Sequence, residues 1–239
     1  MELKTNKGFS RYLVTAIFTV FVTVMTGCQK IEHKAEASVS VRPAVAVILI
    51  DGSKSYKYLD QAKRTVGDIL AELPEGAKVY VRWISHDSAK DNFSIVSLLL
   101  PEEVSVKNAF DVKTKRKMEV TKAKNIRLRK QAIKAVMEAV SPASNLTDIY
   151  GAIYSAGERF KLSPDRDPLL ILLTDMEDDA GKEKGYEIAL SNAVVNIMAY
   201  QTGKDDVAMK KQWSDYLVSH GASSVRFIPM DEPFQLGGL

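Results

Sequence analysis

Ala44–Ser55, AVAVILIDGSKS, opens with an unbroken apolar run that stops at Asp51, with Ser53 and Ser55 following at alternate positions. A continuous apolar run, as opposed to an alternating one, predicts a strand buried on both faces, as in a parallel sheet covered by helices. The pattern recurs at Pro168–Asp179, PLLILLTDMEDD, where the run gives way to Thr174 and Asp175. Two such strands, each ending at an acid, place both acids on one rim of the sheet. That is the rim where open α/β folds bind their ligands.

Working outward, strand and helix signals alternate. Strands are predicted at Ala44–Ile50, Lys78–Ser85, Phe93–Leu100, Leu169–Thr174, Ala193–Tyr200 and Val225–Pro229. Apolar residues at helical spacing predict helices over Tyr58–Leu73, Asn125–Val140, Thr147–Phe160 and Asp206–His220, the last ended by Gly221. A further helix is expected after the fourth strand. The order predicts an α/β fold, a Rossmann-like three-layer sandwich around a mostly parallel six-stranded sheet. The short link between the second and third strands allows one antiparallel edge strand.

The residues at the strand ends carry a resemblance. Asp51-Gly52-Ser53-Lys54-Ser55 resembles the D-x-S-x-S signature of von Willebrand factor A domains, and Thr147 and Asp175 stand in matching contexts, before a helix and after the fourth strand. The similarity extends over most of the chain after residue 42. It implies a metal-ion-dependent adhesion site built from Asp51, Ser53, Ser55, Thr147 and Asp175. In that family the two serines bind the ion directly, the threonine directly or through water, and the aspartates hold its waters. The implied ion is Mg²⁺ (or Mn²⁺ or Ca²⁺), and the implied partner is a protein that offers a carboxylate. The donor chemistry agrees, because Mg²⁺ takes about six oxygens and keeps several waters. The chain departs from the pattern at Met176, where glycine is usual, so the loop is expected to work without a position of positive φ. Glu177, Asp178 and Asp179 follow. They read either as a second ion site or as acids at a helix N-terminus, where negative charge is favoured.

Each site residue also has a local explanation. Asp51 and Ser53 could cap the first helix, Thr147 the helix after it, and Asp175 a helix after the fourth strand. What capping leaves unexplained is why all three would meet on one rim.

The first residues read as something other than the fold. Lys4, Lys7 and Arg11 precede the apolar stretch 12–25, and Thr26, Gly27 and Cys28 follow, so residues 1–27 read as a secretory signal. Val24–Cys28, VMTGC, resembles the bacterial lipobox, which implies lipidation of Cys28. An uncleaved membrane anchor is the alternative. Residues 28–42 then form a polar tether, and 43–235 the von Willebrand factor A-like domain. The expected location is the cell envelope, on a lipid anchor facing the periplasm or the exterior, with the outer membrane one option. Cys28 is the sole cysteine, so no disulfide framework supports the domain.

The 239 residues carry a formal net charge of +3, and residues 1–27 account for most of it. Bulk charge therefore gives no argument for nucleic acid. One block is strongly basic: residues 107–134 hold many lysines and arginines against Asp111 and Glu119. It reads as a contact for an anionic surface or as the solvated outer face of a helix. His33, His86 and His220 are scattered, so zinc spacing is absent. His86 and Asp87 read as loop residues, Trp83 and Trp213 as packing anchors. The expected function is a non-catalytic binding module. The alternatives are a phosphatase-like α/β enzyme and a structural envelope lipoprotein whose metal site has lapsed. Haloacid-dehalogenase-like phosphatases carry an acid two residues after the first-strand aspartate, and Ser53 stands there instead.

Overall fold

The computed structural model describes residues 42–105, 111–180, 184–198 and 206–229. The signal, Cys28 and most of the tether lie outside the described residues, as do residues 199–200 of the expected fifth strand. The strands are β1 (Ala44–Asp51), β2 (Lys78–Ile84), β3 (Ser94–Leu99), β4 (Asp167–Leu173), β5 (Val194–Met198) and β6 (Ser224–Ile228). The helices are α1 (Leu59–Glu72), α2 (Val112–Glu138), α3 (Ile149–Lys161) and α4 (Asp206–Ser219).

The strands form one sheet in the order β3-β2-β1-β4-β5-β6. All neighbours are parallel except β2 and β3, which pair antiparallel at the edge. This is the architecture that the resemblance implies. β1 lies between β2 and β4, and all eight of its residues are buried. Its side chains alternate between two cores. Val45, Val47 and Leu49 pack with α3 and α4, while Ala46, Ile48 and Ile50 pack with α1 and α2. A strand covered on both faces leaves no position for a polar residue until it ends, which is why the run is unbroken.

From β1 the chain passes through α1 to β2 on one side, and from β4 it moves to β5 on the other. The strand order therefore reverses between β1 and β4, and a crevice opens outside the carboxyl ends of these two strands. Asp51 is the last residue of β1, and Thr174 and Asp175 directly follow β4.

Two expectations about helices need correction. α2 begins at Val112, not Asn125, and runs 27 residues. Its first half has no apolar period because it packs against no core: none of residues 112–124 is buried. Among the described residues between β4 and β5 there is no α-helix. The tryptophans behave as packing anchors, Trp83 in one core and Trp213 in the other. Among the described residues no helix is long and apolar enough to cross a membrane.

Candidate metal centre

The β1–α1 loop is shaped by contacts to a distant segment. Gly52 N–H donates to the Ile84 carbonyl at 3.0 Å, and Lys54 N–H to the Ser144 carbonyl at 2.9 Å. A Cβ on Gly52 would stand 2.7 Å from the Pro142 ring and 3.0 Å from the Ile84 oxygen. The residue between Asp51 and Ser53 must therefore lack a side chain, whatever its φ.

Within that loop the motif residues bond to one another. Ser53 N–H donates to Asp51 Oδ1 at 2.8 Å, and the Ser53 and Ser55 hydroxyls lie 3.1 Å apart. Asp51 Oδ2 accepts from Thr174 Oγ1 at 2.7 Å, which joins the ends of β1 and β4. Asp51, Thr174 and Asp175 are buried, whereas Ser55 is exposed. Of the hydroxyl pair, only Ser55 is exposed; Ser53 is buried like the two carboxylates. Sequence reasoning missed Thr174. Its signal was its place as the first polar residue after the fourth apolar run.

Thr147 lies on the same rim, just before α3, and is buried. Its carbonyl accepts from Asp179 N–H at 2.9 Å and Ala180 N–H at 3.3 Å, so it is tied to the loop after β4. The next residue, Asp148, is fully buried and was not anticipated. It caps α3 through Gly151 N–H at 2.7 Å. It also accepts from Ser88 N–H at 3.2 Å, Lys184 Nζ at 2.8 Å and Tyr186 OH at 3.0 Å. One carboxylate thereby pins three loops around the rim. An aspartate three residues before Gly151, at a helix start, was the available signal.

The capping explanations do not hold. α1 is preceded by Tyr58, with no side-chain cap. α3 is capped by Asp148, not Thr147. Asp175 precedes no α-helix among the described residues and accepts Glu177 N–H at 3.1 Å instead. Of the trailing acids, Asp178 accepts Ile149 N–H at 2.7 Å, at the N-terminus of α3, where its charge is favoured. Beyond β2, the His86 ring packs edge-on against Phe93, and Asp87 pairs with Lys90, so both are loop residues.

Met176 overturns the expectation about its loop. Its φ is +65°, the left-handed conformation that glycine adopts freely. The side chain is buried in the core with α3 and α4, its N–H donates to Thr174 Oγ1, and its carbonyl accepts from Trp213 Nε1 at 3.0 Å. Packing and two hydrogen-bonded backbone groups hold a backbone turn that costs about 1 kcal/mol for a residue with a Cβ.

The electrostatics of the rim are one-sided. Burial pushes the Asp51 carboxyl above its ordinary range; hydrogen bonds from Ser53 and Thr174 oppose this and the charge of Asp179 adds to it. Asp175 is pushed up to about 6, first by burial, with the Glu177 N–H opposing and Asp51, Glu177 and Asp179 repelling. The Tyr56 phenol is raised by burial and by both aspartates. Among the described residues, no cationic side chain figures among the groups that shift either carboxyl. Among the described residues, no group of three or more His, Cys, Asp and Glu side chains is arranged to hold a metal. An ion on this rim would rely on hydroxyls and water, with two carboxylates behind them. That donor set suits a hard cation such as Mg²⁺.

No family model and no curated protein matches the chain. Among solved structures it is similar to a von Willebrand factor type A protein from Catenulispora acidiphila, at 19% identity and a TM-score of 0.49, over 80% of this chain and 39% of that one. It is also similar to proximal thread matrix protein 1 from the mussel byssus, at 15% identity and a TM-score of 0.45, over 71% of this chain and 41% of that one. A third is an aerotolerance-related membrane protein from Bacteroides fragilis, at 15% identity and a TM-score of 0.41, over 77% of this chain and 91% of that one. The chain spans about two-fifths of the length of the first two.

Proposed function

We propose that this chain is a non-catalytic binding module of the cell envelope, held to a membrane through lipidated Cys28. In this reading a divalent cation, Mg²⁺ foremost, is held by Asp51, Ser53, Ser55, Thr147 and Asp175 and engages a carboxylate on a protein partner. The observation that carries the reading is the pair of buried carboxylates, Asp51 and Asp175, which repel one another and the exposed Asp179, with no cationic side chain among the described residues that shift them. Burying like charges together is costly unless a counter-charge is supplied. Of the two serine hydroxyls, 3.1 Å apart, that of Ser55 is on an exposed residue and open to an incoming ligand. The serine and threonine hydroxyls are neutral donors, so an ion held by them would keep most of its attraction for an external carboxylate. That attraction strengthens as the interface excludes water.

Thermal melting in chelator and in millimolar Mg²⁺ tests the reading. A ligand that binds only the native state raises its stability in proportion to the logarithm of concentration over Kd. The wild type should melt several degrees higher with Mg²⁺, and Asp51→Ala should not respond. No shift in the wild type would reject ion binding. A shift without Mg²⁺-dependent capture of a carboxylate-bearing ligand would reject the adhesion role alone.

A further inference from the structure

The basic helix and the start of the domain lie at the same end of the molecule. Pro43 sits at the edge formed by the amino ends of the parallel strands. Its carbonyl accepts from Asp167 N–H at 3.1 Å, and it lies against Gly76, whose N–H donates to the Pro101 carbonyl. Helix α2 crosses this edge at Asn125, whose Nδ2 donates to the same Pro101 carbonyl at 3.0 Å. From there α2 runs up to the metal rim, where Lys63 of α1 donates to the Ala139 carbonyl. In the other direction, residues 112–124 continue past the edge for about 20 Å at 1.5 Å per residue.

This overhanging half is basic around most of its circumference; Thr114, Met118 and Thr121 form the remaining, half-buried face. Lys113, Lys115, Arg116, Lys117, Lys122 and Lys124 are all exposed, against the single acid Glu119. Val112 and Val120 are exposed among them, at 76% and 62%. As a free helix it is a poor one. Lysines crowd its N-terminal turn, where the helix dipole disfavours positive charge, and like charges repel along its length. Only Asp111, which accepts Thr114 N–H at 3.0 Å, offsets this. No apolar face is buried against the sheet to stabilise it.

We infer that residues 112–124 dock on the anionic headgroups of a membrane. Six cations on one rod match a negatively charged lipid surface. The exposed valines provide apolar contact at the headgroup level. The position matches as well, since a chain tethered to a bilayer through Pro43 brings this end toward the lipid and turns the metal rim away from it. The inference uses the attachment point of the proposed tether and is independent of the metal site.

The test uses the chain from Gln29 onward, which carries no acyl group. Both hydrophobic cores are drawn from residues 45–228, so this chain retains them. Co-sedimentation is measured in chelator with vesicles of phosphatidylcholine, with and without phosphatidylglycerol. The chain should bind the anionic vesicles, release as salt rises, and ignore the neutral ones. The combined variant Lys113→Gln, Lys115→Gln, Lys117→Gln, Lys124→Gln should lose at least about tenfold in affinity, with its circular dichroism and melting retained. Lys54→Gln with Lys57→Gln, near the opposite rim, should bind vesicles like the wild type. Equal binding to both vesicle types, unchanged affinity in the fourfold variant, or an equal loss in the Lys54/Lys57 variant would overturn the inference. So would tight binding of soluble polyglutamate with no vesicle association, which would point to an acidic protein instead.

Discussion

Asp175 is a carboxylic acid whose proton is harder to remove in the folded protein than in the unfolded chain. Burial and neighbouring acids push its carboxyl up to about 6, from an ordinary value of 3.8. Between these values the folded state holds a proton that the unfolded state has released, so stability falls as pH rises from about 4 to about 6. Above that range the repulsion with Asp51 and Asp179 is fully present. In chelator, the urea midpoint should therefore be higher at pH 5 than at pH 7, and Asp175→Asn should flatten this slope. With Mg²⁺ present the wild-type slope should shrink or reverse, since an ion and a proton compete for the same carboxylate. Asp148 differs, because its charge is balanced by Lys184 and by three further donors. Removing one partner of a buried ion pair leaves the remaining groups unsatisfied. Asp148→Ala should cost about 3 kcal/mol in equilibrium unfolding, a loss that surface carboxylates such as Asp215 would not show.

At the scale of elements, the shape of the β1–α1 loop is set by the segment after α2. Ser141 Oγ donates to the Gly52 carbonyl at 2.8 Å, Pro142 closes over Gly52, and Ser144 pairs with Ser53 in an isolated parallel bridge. Gly52→Ala keeps every proposed ligand, yet its Cβ must push Pro142 or the end of β2 aside. The Mg²⁺-dependent rise in melting temperature should shrink or vanish in this variant. Adding Pro142→Ala, which removes the clashing ring atoms, should restore part of it. Equal responses in Gly52→Ala and the wild type would show that loop shape does not govern the site. Met176 makes the same point from the other side. A turn with positive φ is kept there without glycine because the side chain contributes burial that glycine could not.

For the whole molecule, the reversal of strand order between β1 and β4 brings three loops to one rim. The connections among them are short and polar: Asp51 to Thr174, Thr147 to Asp179, and Asp148 to Lys184. An ion that joins these loops should order them together. On adding Mg²⁺, amide hydrogen exchange should slow in residues 51–55, 147–149 and 174–180 as one group, while β6 at the far edge stays unchanged. Slowing confined to 51–55 would mean that the three loops do not share a ligand. The molecule also has polarity along the strand direction. The acid-rich rim lies at the carboxyl ends of the parallel strands, and the basic overhang of α2 lies beyond their amino ends.

The sequence by itself determined the sheet. Unbroken apolar runs of strand length, bounded by polar residues, fit strands buried on both faces, and acids directly after two of them mark the edge where burial stops. Strand count, the antiparallel edge, the shared rim of Asp51 and Asp175 and the packing role of both tryptophans were legible for this reason, because each is a matter of periodicity or composition within a few residues. The tertiary structure decided what depends on residues far apart in the chain. Asp148 and not Thr147 caps α3, because Gly151, Ser88, Lys184 and Tyr186 all converge on its carboxylate. Asp178 serves a helix that precedes it in sequence. The first half of α2 is a helix without an apolar stripe, so no periodicity could reveal it. Local pattern reports which groups must leave water; only the folded chain determines which distant groups then meet them.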